Sequence, residues 1–437
     1  MSRLHNPSAS KQQGQTLALV AISMVSLLAV AALAVDLASL YAARGEIQRA
    51  ADAAALAGAK AFVDSGVTTD PANATLQNIA ETLAQAYANG AAAQNPVSGS
   101  APQFPSPPTF DFTTYPGNPR ITVTLQRTGL PLFFARIWGG QFSSVSASAV
   151  AEAYNPSYSQ SNTTAFVPAA PRCVKPLLIP NNDSAPGSNA PLYVDPASGA
   201  PEPSALNLVG GKLPLVSACK FGGNGCTLRN GETAPRKWQY LPLQVSGPHQ
   251  YCPAASQPGC SAAVSDFQES IQCCDGSAFN FAQCSSSVTP ATWDPSINPN
   301  RGGGPVQNGL QCLMHADSTN TQQDTIDPSN FTSGNGPVLI SPGPFSQARY
   351  GLQATDLMAT SDSIITVPLF DNSNPELPAN VTIVGFLELF VTDVGTGAQS
   401  GDLGTILLNI SGCGRAAGAG AISGGGVSAI PVRLIRQ

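Results

Sequence analysis

The stretch TLALVAISMVSLLAVAALAV, Thr16 to Val35, decides the architecture of this chain. It holds no charged residue and is dense in Leu, Val, Ala and Ile. A helix needs about 20 predominantly apolar residues to cross a hydrocarbon core of ~30 Å, and this run reaches that length. Arg3 and Lys11 precede it without any Asp or Glu, and Asp36 follows it. Positive residues stay on the cytoplasmic side of a span. The N-terminus is therefore expected inside, with everything beyond Asp36 outside the cytoplasm.

Beyond the span the helical pattern continues. Leu37, Leu40, Tyr41, Arg44, Ile47, Ala51, Ala54, Gly58 and Phe62 follow a broadly 3.6-residue period, with Glu46, Arg49 and Asp52 on other faces. Ala50, Ala54 and Gly58 form a small-residue stripe along which a second helix could approach closely. One helix from Thr16 to Phe62 would span roughly 70 Å at ~1.5 Å per residue. The plain alternative is an Ala-rich helix that packs on its own domain.

The string GQTLALVAISMVSLLAVAALAVDLASLYAARGEIQRAADAAALAGA, Gly14 to Ala59, resembles the N-terminal region of the TadE/TadG-like proteins of Flp (tight adherence) pilus assembly. The matching parts are Gly14-Gln15, Val35-Asp36-Leu37, Tyr41, Arg44 and the run from Gln48 to Ala57. The resemblance implies a membrane-anchored accessory protein of a pilus or related envelope system. Two rival readings of the span stand beside it. A cleavable signal is marked by Ala29-Val30-Ala31 and Ala32-Leu33-Ala34, although the apolar run exceeds the usual signal core. A pilin-type cut after Gly14 would put Leu19 at the fifth mature position, where such pilins carry Glu.

A small membrane-proximal domain follows. Asp70-Pro71 reads as an N-cap with proline at the first helical position, and Leu76, Ile79, Leu83 and Tyr87 recur at helical spacing until Gly90. Pro102 to Pro119 is a proline-dotted connection. Ile121, Val123 and Leu125 alternate with threonines as in a strand. The segment Leu130 to Gly139 contains Phe133-Phe134-Ala135 and precedes an alternating strand from Val145 to Tyr154. That order also resembles the TadG-related pattern. The ordinary reading of the aromatic residues here is core.

All 10 cysteines lie later: Cys173, Cys219, Cys226, Cys252, Cys260, Cys273, Cys274, Cys284, Cys312 and Cys413. An even number confined to the region expected outside is what a disulfide framework gives. Cys273 and Cys274, being adjacent, are expected to find different partners, and Cys219–Cys226 and Cys252–Cys260 are candidate local loops. No Cys-x-x-Cys pair exists, and His249 with Cys252 and Cys260 fits no familiar zinc spacing.

Composition excludes several function classes. Of 437 residues only 11% are charged, against 41 Gly and 38 Pro, and the net charge is −6. A nucleic-acid binder needs clustered cations, which this chain lacks. A linker is read at Gln160 to Ala170, followed by a β-rich, loop-rich region. Its strands are Ile364 to Phe370, Asn380 to Val394, Ile406 to Ile410 and Ala429 to Ile435. The segment Thr382 to Val391 is apolar at nearly every position, so it reads as a buried central strand. Gly302 to Gly304 and Gly424 to Gly426 mark turns.

The chain contains no Gly-x-Ser-x-Gly, His-Glu-x-x-His or phosphate-binding Gly-x-x-x-x-Gly-Lys. Ser217-Ala218-Cys219-Lys220 has the Ser-x-x-Lys form without its companion motifs. The Asp-x-Ser-x-Ser metal motif of some TadG relatives is also missing. Asp371, Asn372, Asn374 and Glu376 offer oxygen ligands for Ca²⁺ but read more simply as a turn.

The expected fold is α+β: a cytoplasmic tail at 1–15, a transmembrane helix at 16–35, a helical and strand domain at 36–154, and a mostly β, disulfide-containing domain at 155–437. The expected function is a non-catalytic accessory or structural component of Flp/Tad-type pilus assembly. It would be single-pass in the bacterial inner membrane, without cofactor, catalytic residue, metal, nucleic acid or small-molecule substrate. Its partners would be the bilayer through Thr16 to Val35 and other pilus-assembly or pilin-like helices. Asp36, Tyr41, Arg44, Ala50, Ala54 and Gly58 are the candidate packing residues. The alternatives are a secreted or surface adhesin and a processed pilin-like subunit; an envelope hydrolase lacks a nucleophile, base and orienter set.

Overall fold

In the computed structural model of the protein, the expected helix is one unbroken element, α1 (Ala9–Asp64), of 56 residues. No proline lies between Ala9 and Asp64, so nothing removes a backbone donor from the ladder. The description covers residues 9–435 apart from 115–117, 136–141, 156–168, 171–172, 183–189, 220–225, 227–237, 244, 248, 275–279, 291–303, 317–320, 328–339, 357, 359–360, 373–379, 396–401, 414–421 and 424–429. The tips of the glycine runs at 302–304 and 424–426, Lys220, Asn374, Glu376 and most of the expected linker fall outside it.

α1 ends where Gly66 takes a positive φ of 76°, the left-handed conformation that stops helices at glycine. The next helix, α2 (Ala74–Ala93), begins later than Asp70-Pro71 predicted. Its free N–H groups are met by Asn73, whose Oδ1 accepts from Thr75 N at 3.0 Å and Leu76 N at 3.3 Å. Asp70 instead accepts the Asn73 N–H within the preceding turn. α2 also runs past Gly90.

Three strands follow: β1 (Thr109–Asp111), β2 (Arg120–Pro131) and β3 (Phe142–Ala153). The later elements are β4 (Ala169–Ala170), β5 (Leu177–Pro180), α3 (Pro203–Leu206), β6 (Leu215–Ser217), β7 (Trp238–Pro242), α4 (Asp266–Gln272) and β8 (Ser287–Val288). Then come α5 (Pro305–Leu313), β9 (Thr325–Ile326), β10 (Ile340–Ser341), α6 (Pro344–Tyr350), β11 (Ile364–Phe370), β12 (Val381–Val394), β13 (Leu403–Gly412), β14 (Ile422–Ser423) and β15 (Val432–Ile435).

The chain divides into two compact units, one of Met1–Ala54, Asn89–Pro108 and Val123–Ala149, the other of Ala55–Ala88, Thr109–Thr122 and Val150–Gln437. In the first, the 16–35 segment is apolar enough to cross a membrane and buries none of its side chains in the protein. Past it, Ala43, Ile47, Ala50, Ala51 and Ala54 are buried, whereas Leu37, Tyr41, Arg44, Gly45 and Gln48 stay exposed. The aromatic residues read as core divide. Phe62, Phe112 and Tyr154 are buried, but Phe133 is 61% exposed and Phe134 39%. Pro131 ends β2, and the chain then turns outward.

The second unit holds a closed ring. β11 pairs with β5 and β12, β5 with β7, β7 with β6, β6 with β13, and β13 with β12. Each of the six strands thus has two neighbours, and closure removes the free edges that an open sheet exposes. β8 adds beside β12. Ile365, Val367 and Leu369 of β11 share one core with Leu387, Leu389 and Val391 of β12 and with Phe267, Ile271, Val306 and Leu310 of α4 and α5. The opposite strand faces pack separately, through Phe370, Ile383 and Phe386 and through Ile364, Phe390 and Ile406. This double burial explains why β12 is apolar on both faces, each large side chain contributing ~1.5–3 kcal/mol.

The C-terminal strand has an unexpected partner. The sequence groups it with the outer strands, yet β15 pairs antiparallel with β3, Val432 opposite Ala153 and Ile435 opposite Val150. Glu152, only 2% exposed, holds the pairing by accepting from Arg433 Nε at 2.7 Å and Arg120 Nε at 3.1 Å. The disulfides join Cys173–Cys274, Cys219–Cys226, Cys252–Cys273, Cys260–Cys312 and Cys284–Cys413. The adjacent cysteines do take different partners. The expected Cys252–Cys260 loop is not formed: Cys252 reaches the end of α4 and Cys260 reaches α5.

Candidate functional site

The candidate surface begins where the apolar run ends. Asp36 is 3% exposed, and a buried carboxylate is costly unless hydrogen-bonded. Its Oδ1 accepts from Phe133 N at 2.8 Å, and its Oδ2 accepts from Phe134 N at 3.0 Å and Ala135 N at 2.6 Å. Burial pushes the Asp36 pKa up, but the N–H donors of Ala135, Phe133 and Phe134 outweigh it and hold the carboxyl below its usual range. The carboxylate is thus fixed in its charged form and pins the loop after β2 to the helix. Sequence reasoning had singled out Asp36 without its partners. The missed signal was a charge placed directly after a lipid-length run, where it requires donors.

One to three turns further on, α1 presents an open groove of about 530 Å³ lined by Tyr41, Arg44, Gly45, Gln48 and, from β3, Ser146, Ala147 and Ser148. Tyr41 is 68% exposed. Gly45 has nothing within 4 Å of where a Cβ would sit, so the packing of this chain does not require glycine there. Gly45 went unremarked in the sequence, and Gln48 entered only as the first residue of the Tad-like run.

Ala50 and Ala54 are fully buried. At Gly58 the chain itself fills the stripe: an added Cβ would lie 2.4 Å from Ile121 Cδ1 and 3.4 Å from Ala84 O. The six candidate residues therefore separate. Tyr41 and Arg44 face outward together, Asp36 holds a loop, and Ala50, Ala54 and Gly58 are interior.

The end of α1 is secured differently. Asn409 of β13 donates from Nδ2 to Val63 O and accepts at Oδ1 from Thr68 Oγ1 at 2.9 Å, while Asn155 Nδ2 donates to Thr68 O at 2.7 Å. Lys60 pairs with Asp64. Burial pulls the Lys60 pKa down, but the carboxylates of Asp64 and Glu388 push it up and prevail.

Elsewhere, ligand atoms of His249, Asp266 and Glu269 lie within 4.8 Å of one another. The two carboxylates occupy the first turn of α4, behind the N-cap Ser265, where negative charge is favoured without a metal. The zinc set of His249 with Cys252 and Cys260 is closed off because both sulfurs are in disulfides.

Residues 14–61 match the family model described as putative Flp pilus-assembly TadE/G-like. This matched region contains the apolar run, Asp36 and the Tyr41–Arg44 surface. An N-terminal apolar helix with this signature fits a membrane-anchored protein connected with Flp pilus assembly. No curated protein and no solved structure matches the chain.

Proposed function

We propose that the chain is a membrane-anchored, non-catalytic accessory or structural component of Flp/Tad-type pilus assembly in the bacterial cell envelope. The observation that carries this reading is the continuity of α1: a lipid-length apolar run passes without a break into the rest of the matched segment. Residues 1–15 are then a cytoplasmic tail and 16–35 a single inner-membrane span. Everything beyond residue 36 is then extracytoplasmic. Arg3 and Lys11 before the span favour that orientation.

Its mechanism is lateral packing of α1 against other pilus-assembly or pilin-like helices, through the exposed face of Leu37, Tyr41, Arg44, Gly45 and Gln48. A glycine inside a helix costs about 1 kcal/mol relative to alanine. Gly45 meets no intramolecular neighbour that demands it, which favours close approach by a partner. The non-catalytic assignment rests on the lack of any catalytic motif in the sequence.

The test is deletion and complementation in a bacterium that makes Flp pili. Loss of the chain should lower pilus number, the full chain should restore it, and Tyr41→Ala with Gly45→Leu should not. Normal piliation with lost surface attachment would replace this reading by an adhesin. Recovery of the chain in purified filaments, beginning at Gln15, would make it a processed pilin-like subunit.

A further inference from the structure

Among the described residues, the exposed phenylalanines are Phe133, Phe134 and Phe142, at 61%, 39% and 65%. Phe133 and Phe134 lie just after the end of β2, and Phe142 opens β3. The other large exposed apolar side chains concentrate on α1 from Leu17 to Tyr41. A loop that exposes aromatic rings to water forgoes their burial, which calls for a cover.

The loop is also fixed in height. The N–H groups of Phe133, Phe134 and Ala135 are bonded to the carboxylate of Asp36, the first residue after the apolar run. The polar layer on each side of the hydrocarbon core is only about 5–8 Å thick, comparable to the reach of a phenylalanine side chain. Rings held at residue 36 therefore lie in that layer if 16–35 spans the membrane. Aromatic side chains are enriched there.

We propose that the segment just after β2 that bears Phe133 and Phe134 is a second membrane contact, seated in the headgroup layer of the leaflet from which α1 emerges. Asp36 is its positioning residue. This rests on the reading of 16–35 as a span. A lone helix is free to rotate about its axis in a bilayer, and an off-axis contact removes that freedom. The rotational setting so fixed determines which way the face of Tyr41, Arg44, Gly45 and Gln48 is turned toward neighbouring helices.

The experiment uses the full chain in vesicles of phosphatidylethanolamine and phosphatidylglycerol. All native cysteines are paired, so one introduced thiol takes a spin label under non-reducing conditions. Labels at Phe133→Cys, Met24→Cys within the span and Thr128→Cys on exposed β2 are compared by collision with lipid-soluble oxygen and a water-soluble nickel chelate. The expected oxygen-to-nickel ratio is highest for M24C. That of F133C should lie several-fold above T128C and return to the T128C level when Asp36→Ala is added. Equality of F133C and T128C with M24C deep overturns the proposal and leaves the anchor standing. Shielding of F133C from both reagents also overturns it, showing a protein cover such as a second copy. A water-accessible M24C removes the anchor and the proposal together.

Discussion

Asp36 and Asn409 both secure α1, one at the end of the apolar run and one at the helix end, and they do so by opposite means. Asp36 gathers backbone N–H groups from a nearby loop whose side chains remain in the open. Asn409 comes from a strand more than three hundred residues away in sequence and is itself 1% exposed. The first arrangement can yield locally without exposing a core. The second cannot, because its donors and acceptors have no water to turn to. The contrast separates a surface suited to contact from a joint suited to permanence.

The joint should break most severely when its closure is cut. Cys284–Cys413 closes a separation of 129 residues onto the end of β13. Replacing both cysteines by serine should lower stability by about 4–5 kcal/mol on the chain-entropy scale, read by denaturant unfolding of the full chain. Asn409→Ala should cost about 2–3 kcal/mol by leaving buried hydrogen-bonding groups without partners, and an unchanged midpoint would remove Asn409 from the joint.

At Asp36 the effects should be local. Asp36→Asn keeps the size but removes one acceptor oxygen, so amide exchange at Phe133 to Ala135 should quicken while global unfolding shifts little. The pH dependence has a definite sign. The folded pKa of Asp36 is lowered from its ordinary value of 3.8, so its stabilisation is complete above that value and is lost as pH falls through the folded pKa. Loop protection should therefore fall on acidification. Persistence of protection in acid, or in the Asn variant, would show that the loop is held by something else.

The smallest effect belongs to the outward face. Gly45→Ala meets open space and should stabilise the isolated protein by up to about 1 kcal/mol through helix propensity. If thermal unfolding shows a loss, Gly45 answers to the chain's own packing and the partner argument weakens.

The apolar run of membrane length was legible because length and absence of charge define it, and α1 because its period is local. The strand at Ile364 to Phe370 was legible for the same reason, as was the double burial of Thr382 to Val391. The role of Asp36 was half legible: a charge at that position needs donors, but nothing adjacent supplies them. Phe133 and Phe134 misled, since aromatic residues are usually buried and only the turn after Pro131 directs these outward. The small-residue stripe left open whether a second helix or the chain's own domain covers it, and at Gly58 Ile121 and Ala84 of the same chain do so.

What the sequence alone determined is the membrane-length helix, its Tad-type continuation, the β character of the later region and its oxidised cysteines. Each follows from composition or from periodicity over neighbouring residues. Tertiary structure decided the closure of the six-stranded ring, the return of β15 to β3, the partner of Cys252 and the exposure of the Phe133 loop. Those outcomes depend on which distant segments bury one another, and burial is settled by the whole chain at once.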